Sequence, residues 1–356
     1  MENNSNIFSH TVLKDFCIRV FTKCGMPEED AKLASDILIE ADLRGIDSHG
    51  VARLSGYLRL YNKGRANFTA KPKIIHQTPS TANIDADNGL GLVVTPYAMQ
   101  VAIQKAINVG TGWVAIHNSN HFGIAAYHAM LALPHNMIGF AITNATPLVA
   151  PTNSNQRMLG TNPLAIAIPS KKYKPVVVDM ATSAAANGKL EIAQRLNKSI
   201  QTGWVQTKTG KESTNPNELK EGGSLLPLGG HKGYGLSAAI DVLSAVLSGA
   251  NYGPWVPPFV TFLEPKENQP GKGIGHFVGA MRVDAFRPLE EFYYHIDNWI
   301  ETFKKSTPIN ENEPVLIPGE PEFFEKDKRV ISGIPLNQNV VDDLKKLALV
   351  LGIEGI

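Results

Sequence analysis

Cysteine is nearly absent: Cys17 and Cys24 are the only two in 356 residues. They stand seven apart in one helix-like stretch, which points to reduced thiols in a reducing compartment and against a disulfide-built extracellular fold. An excess of charge of one sign is missing too. The 34 Lys and Arg against 33 Asp and Glu leave +1, so there is no broad field to attract a phosphate backbone or an anionic lipid surface. Nucleic acid and membrane are therefore not expected partners. Long apolar runs are also lacking. The longest, Ser237 to Ala250, contains Asp241 and falls short of the ~18 residues that suggest a membrane span. The start, MENNSNIFSH, lacks the basic residues and apolar run of a secretory leader. A soluble cytoplasmic protein is expected.

The familiar catalytic fingerprints are absent as well. GLGLVV (89–94), GTGWVA (110–115) and GIGHFV (273–278) each lack the third glycine of G-x-G-x-x-G. No P-loop, G-x-S-x-G elbow, H-E-x-x-H or Cys-x-x-Cys occurs. Ordinary Rossmann domains, P-loop NTPases, serine hydrolases and cysteine-based zinc sites lose support.

What is present is a globular α/β chain. With 43% hydrophobic and 19% charged residues, it has apolar material enough for a core, and its length suggests two domains at roughly 100–200 residues each. The first ~65 residues read as helices. Val12, Leu13, Phe16, Cys17, Val20 and Phe21 recur at helical spacing after the cap candidates Ser9 and Thr11. Pro27 and the acids Glu28, Glu29 and Asp30 open a second helix, and Val51, Leu54, Tyr57, Leu58 and Tyr61 stripe a third. From about residue 80, short apolar runs alternate with helical segments. A helix is predicted over Thr95–Asn108, and strands over Trp113–His117, Met137–Asn144, Pro163–Ile168 and Pro175–Met180. Residues 206–230 read as a long loop or a domain boundary. Beyond them come a helix over His231–Ser248, a strand over His276–Asp284, and helices near Pro288–Lys305 and Gln338–Leu351.

Four polar clusters sit in turns beside these runs. In RGIDSHG (44–50) with Arg53, guanidiniums can grip carboxylates and a histidine can move a proton, though Asp47 or Ser48 can equally cap a helix. In HNSNHFG (117–123), a histidine follows a strand, where ligand-binding groups concentrate. Zinc on His117 and His121 would need a helix, and Asn118-Ser119-Asn120 is a turn sequence, so no metal is expected. VVVDMATS (176–183) ends a strand in Asp179, suited to a ribose hydroxyl or to a helix cap. GGHKGYG (229–235) opens a helix with four glycines and Lys232, which suits an anion or mere close packing. These residues alone leave open a dehydrogenase, a metal-dependent lyase or hydrolase using His117, His121 and a carboxylate, and a non-catalytic binding protein.

Taken in order, RGIDSHGVARL, NSNHFG, LGTNPLAIAIP (159–169), VVDMATS and GGHKGYGL resemble the malate/L-lactate dehydrogenase family of the second type, over residues ~10 to ~350. The resemblance implies an α/β fold with a non-Rossmann, mixed-sheet nicotinamide-binding domain at 79–235. A helical substrate domain, built from both chain ends at 1–78 and 236–356, would complete a homodimer-forming subunit. It also implies NAD or NADP as cofactor and a small carboxylate as substrate. Malate is the first choice; L-lactate, sulfolactate, ureidoglycolate and cyclic imino acids are the alternatives. By the same resemblance, His49 and Ser48 sit at the reacting carbon, His121 is the other candidate acid/base, and Arg44 and Arg53 hold the carboxylate. Asp179, Met180, Ala181, His231, Lys232, Gly319 and Glu320 would contact the cofactor. Which histidine is the base stays open.

Overall fold

A computed structural model describes residues 6–356; the first five, part of the segment read above for a leader, lie outside the described residues. The chain opens with β1 (Asn6–Phe8), α1 (His10–Lys23), α2 (Glu28–Leu43) and α3 (Leu54–Asn62), the last entered through one 3-10 turn, Val51–Arg53. Ser9 caps α1 by accepting the Thr11 amide, and the apolar stripe predicted for α1 is fully buried except for Val12, which is exposed. Next come β2 (Lys73–Gln77), β3 (Thr81–Asp85), α4 (Gly91–Val109), β4 (Thr111–Ser119), α5 (Ala125–Met130), β5 (Met137–Thr143), β6 (Leu164–Ile168) and β7 (Val176–Met180). They are followed by α6 (Asn187–Arg195), the two-residue strands β8 (Val205–Gln206), β9 (Glu212–Ser213) and β10 (Ser224–Leu225), and α7 (His231–Asp241), which runs into a π turn at Val242–Val246. The chain closes with β11 (Ile274–Arg282), α8 (Leu289–Lys304), α9 (Glu320–Ser332), β12 (Ile334–Leu336) and α10 (Gln338–Leu351).

Seven strands form one mixed sheet in the order β2-β3-β4-β11-β5-β6-β7. Among the described residues β3 and β4 run parallel and every other neighbouring pair in the sheet is antiparallel, unlike the parallel order of a doubly wound dinucleotide domain. α4 and α5 cover the sheet with small residues, among them Ala98, Ala102, Ala126 and Ala129. A second core joins the chain ends. Leu13, Phe16, Leu38, Leu54 and Tyr57 pack there with Val341, Leu344 and Ala348, and β1 pairs antiparallel with β12.

The predicted cut at 236 does not follow the sheet. β11, assigned by that cut to the helical unit, lies between β4 and β5, with Val278 and Ala280 fully buried. Its Gly279 meets Trp113 of β4, where a Cβ would come within 2.3 Å of the indole ring. Alternation announces a strand but carries no record of which sheet the strand joins. Residues 206–230, expected as a loop, contribute the small antiparallel sheet β10-β8-β9.

Candidate active site

The turn between α2 and α3 carries the first cluster. α2 ends at Leu43, and Gly45 (φ +77°) turns the chain back in the left-handed region. Ser48 Oγ lies 2.9 Å from His49 Nδ1, and Arg53 Nε donates to the Ser48 carbonyl at 2.5 Å. That bond occupies one edge of the guanidinium. Its two terminal nitrogens have no carboxylate in ion-pair reach among the described residues, and the group lies 6.0 Å from the Phe259 ring centre. The start of α6 covers this turn, since a Cβ on Gly188 would sit 3.1 Å from Ser48 Cβ.

The second cluster approaches from the sheet. β4 runs into the 118–123 loop, which packs on the first residue of α4; a Cβ on Gly91 would meet Asn120 O and Phe122 Cβ at 2.5 Å. His121 stacks on His49, with ring centres 5.7 Å apart and 21° between planes. Its Nδ1 accepts the Gly123 amide at 3.2 Å and lies 2.7 Å from the Tyr57 hydroxyl. An amide N–H can only donate, so Nδ1 is an acceptor, the proton of the neutral ring sits on Nε2, and Tyr57 donates too. Phe259 closes the cluster at 4.7 Å from the His121 ring and 5.3 Å from Tyr57. Burial, then Arg53, pushes His49 down to about 4; burial, then His49 and Arg53, holds His121 well below its ordinary value. Both rings are neutral at pH 7. Two neutral imidazoles and an unpaired guanidinium in an apolar wall form a site for an anionic substrate with a proton to exchange.

The expected cofactor residues divide between two other places. A cavity of about 380 Å³ is lined by Arg44, Ala126, Asp179, Gly319 and Glu322. Asp179 is exposed to the cavity and accepts the Ala126 amide at 3.0 Å, with Arg44 the nearby cation. Arg44 was expected beside Arg53 at the substrate. Instead its charged neighbours are Glu40, Glu322 and Asp179, because it closes α2 and turns toward α9, where Phe323 lies 4.5 Å below it. Its side chain is 1% exposed, and its Nε and Nη1 have no hydrogen-bond partner. Gly319 (φ +94°) fits tightly against Val177, whereas Glu320 is spent on the Ile317 amide and on Lys304; Glu322 faces the cavity in its stead. Met180 and Ala181 are half-buried at the end of β7. His231 and Lys232 are exposed at the start of α7, next to Gly229 and Gly230, which line a separate cavity of about 1090 Å³ with Asn153, Asn155 and Gln206.

His117 stays on β4 and faces Asp85 at 3.7 Å, apart from the contacts of His121, and among the described residues no three His, Cys, Asp or Glu gather as metal ligands. Tyr57 was read only as part of an apolar stripe. The available signal was a hydroxyl at a core position, since a buried tyrosine needs a partner. Phe259 had no signal in the sequence.

Residues 8–345 match the family model described as malate/L-lactate dehydrogenase. The chain belongs to this family. It is 43% identical to a malate dehydrogenase of Pyrococcus horikoshii, over 97% of this chain and 95% of that one. It is 42% identical to an L-sulfolactate dehydrogenase of Methanocaldococcus jannaschii, over 96% of each. The solved malate dehydrogenase of P. horikoshii superposes with a TM-score of 0.90 at 41% identity, covering 100% of this chain and 98% of the other. The protein is thus a dehydrogenase of the 2-hydroxyacid class, and the metal-dependent lyase or hydrolase reading is set aside. Among the described residues no helix is long and apolar enough to cross a membrane.

Proposed function

We propose that the enzyme interconverts malate and oxaloacetate, with NAD as its cofactor. The observation that carries this reading is Arg53, a guanidinium with a free fork beside two neutral histidines. Arg53 takes the C1 carboxylate on its terminal nitrogens. His121, fixed as an Nε2–H donor, holds the C2 oxygen. His49 takes the hydroxyl proton on Nε2 when its Nδ1–H is turned to Ser48, a tautomer that the serine oxygen accepts. The His121 assignment follows from the Gly123 amide on its Nδ1; that of His49 uses the tautomer in which Ser48 Oγ accepts from Nδ1–H.

The dinucleotide supplies a hydride acceptor for C2 when bound. The residues of the smaller cavity fit such a group: Nε and Nη1 of Arg44, which make no hydrogen bond and have Glu40 3.8 Å from Nη1, suit a phosphate, and Asp179 suits a ribose hydroxyl. A carboxylate there disfavours the 2′-phosphate of NADP. Met180, Ala181, Gly319, His231 and Lys232 border the same route in this reading, and Glu322 replaces Glu320. The relatives named for malate and sulfolactate support a substrate with a second acidic group.

A homodimer belongs to the proposal. α7 and its π turn expose Leu236, Val242, Leu243, Val246 and Leu247 along one side, an apolar stripe that a second copy would cover. Oxaloacetate, pyruvate, sulfopyruvate and a cyclic imine, each with NADH and NADPH, test the whole reading by loss of nicotinamide absorbance. The highest kcat/KM is expected for oxaloacetate with NADH. A preference for any other pair overturns the assigned substrate or cofactor.

A further inference from the structure

Asp42 lies one residue before the end of α2 and is 1% exposed. Its Oδ2 accepts the Val51 amide at 2.8 Å, and its Oδ1 has no partner. A Cβ on Gly50 would come within 1.8 Å of Oδ1, so the carboxyl occupies the space that any other residue at 50 would need. From the opposite side, Arg329 of α9 donates to the Asp42 carbonyl at 2.6 Å and pairs with Asp47. The turn is thus pinned at both ends and in the middle. Ser48 and His49 ride between the pins, and Arg53 follows in the 3-10 turn that begins at Val51.

Helix termination does not call for this acid. The last turn of α2 is closed by main-chain bonds, including the Arg44 amide to Glu40 O. A buried carboxyl with an unused oxygen costs stability that an apolar residue would not, and such costs are retained where geometry matters. We infer that Asp42 and Arg329 are positioning residues that hold the 44–53 turn so that His49 and Arg53 face His121 at a set separation. This rests on the roles proposed above for His49 and Arg53.

The ionisable and charged groups that act on Asp42 are Cys17 of α1, Asp47 of the turn and Arg329 of α9. Burial pushes the carboxyl up to about 8; Asp47 adds to the rise, and the Val51 amide and Arg329 oppose it. The neutral form therefore does the holding at pH 7, and an asparagine, which keeps an oxygen for Val51, should replace it. Above pH 8 the wild type places a charge in the core, and the turn loosens; the asparagine variant escapes this.

The test is steady-state kinetics with oxaloacetate, with NADH affinity measured separately by fluorescence titration, on Asp42→Asn, Asp42→Ala and Arg329→Gln. Asp42→Asn should stay within about 3-fold of wild-type kcat and KM and retain more activity than wild type above pH 8. The other two should lower kcat by about 10-fold or more and raise KM, with NADH affinity unchanged. Should Asp42→Ala fail to fold, Arg329→Gln decides by the same criteria. A folded Asp42→Ala or Arg329→Gln with wild-type kcat and KM overturns the inference, as does an Asp42→Asn as impaired as the alanine. His49→Gln and Arg53→Ala run alongside: if they also keep wild-type rates, the reading of the site itself has failed, and if they alone lose activity, only the positioning role has.

Discussion

Replacing Arg53 removes a cation of the site that has no ion pair among the described residues. One edge of the guanidinium is already committed, because Nε donates to the Ser48 carbonyl at 2.5 Å; the terminal nitrogens are left for a substrate carboxylate. Truncation to alanine removes a half-buried charge-assisted pair, a loss of about 2–5 kcal/mol in such settings. At 1.36 kcal/mol per tenfold this is roughly a thirty- to five-thousand-fold fall in kcat/KM. Arg53→Lys should recover only part of it. An ammonium on a flexible stem keeps the charge but cannot hold the Ser48 carbonyl and both oxygens of a carboxylate together. Initial rates with oxaloacetate and NADH across all three proteins give the ratio, and a thermal melt separates misfolding from lost contact. If kcat/KM of folded Arg53→Ala stays within twofold of wild type, the carboxylate role is refuted. If lysine matches arginine, the bidentate argument is refuted while the charge argument survives.

Other consequences can be measured alongside. Tyr57→Phe removes one of two donors to His121 Nδ1 at a net worth of about 1 kcal/mol; kcat should fall by roughly fivefold, and an unchanged kcat means the hydroxyl does not act on His121. Gly188→Ala presses a methyl against Ser48 and should reduce kcat/KM by about 3- to 10-fold, with the melting temperature little changed; normal kinetics would place the α6 start away from the working turn. Burial pushes His128 down to about 4 and His276 to about 3, so the unfolded chain binds the protons that these rings refuse when folded. Stability from each is complete above the ordinary histidine value and drains as pH falls from about 6.5 toward 4, by up to about 3 kcal/mol per ring. A melting temperature that rises on acidification through that window contradicts this, and His276→Asn should flatten the slope.

The N-terminal helices were legible because their stripes are local: Leu13, Phe16, Val20 and Phe21 need only a helical period to share a face. The central strands were legible as apolar runs for the same reason. Their order was not, because β11 joins β4 and β5 from more than a hundred residues further along the chain, and pairing over that distance leaves no periodic trace. β2 was missed since Lys73, Ile75, His76 and Gln77 of this edge strand are exposed, which erases alternation. β8, β9 and β10 are two residues each, too short for any pattern. At the site, the polar motifs singled out the turns that carry Ser48, His49, Arg53 and His121, while only the family resemblance put them at one site. Arg44 misled because the motif around it is continuous while the chain is not straight: one turn of helix end sends it toward α9 and the next residues toward His121. Phe259 reaches the site through packing alone, and Tyr57 and Asp42 through single hydrogen bonds made from buried positions, which local periodicity does not reveal.

The most direct measurement is single-turnover reduction of oxaloacetate by His49→Gln and His121→Gln, with NADH affinity titrated on the same preparations. The account predicts that His49→Gln binds NADH normally and loses hydride transfer by about three orders of magnitude or more, whereas His121→Gln, which keeps a hydrogen-bond donor, is slowed far less. Full turnover in His49→Gln, or its loss in His121→Gln alone, would contradict the account and move the proton to His121.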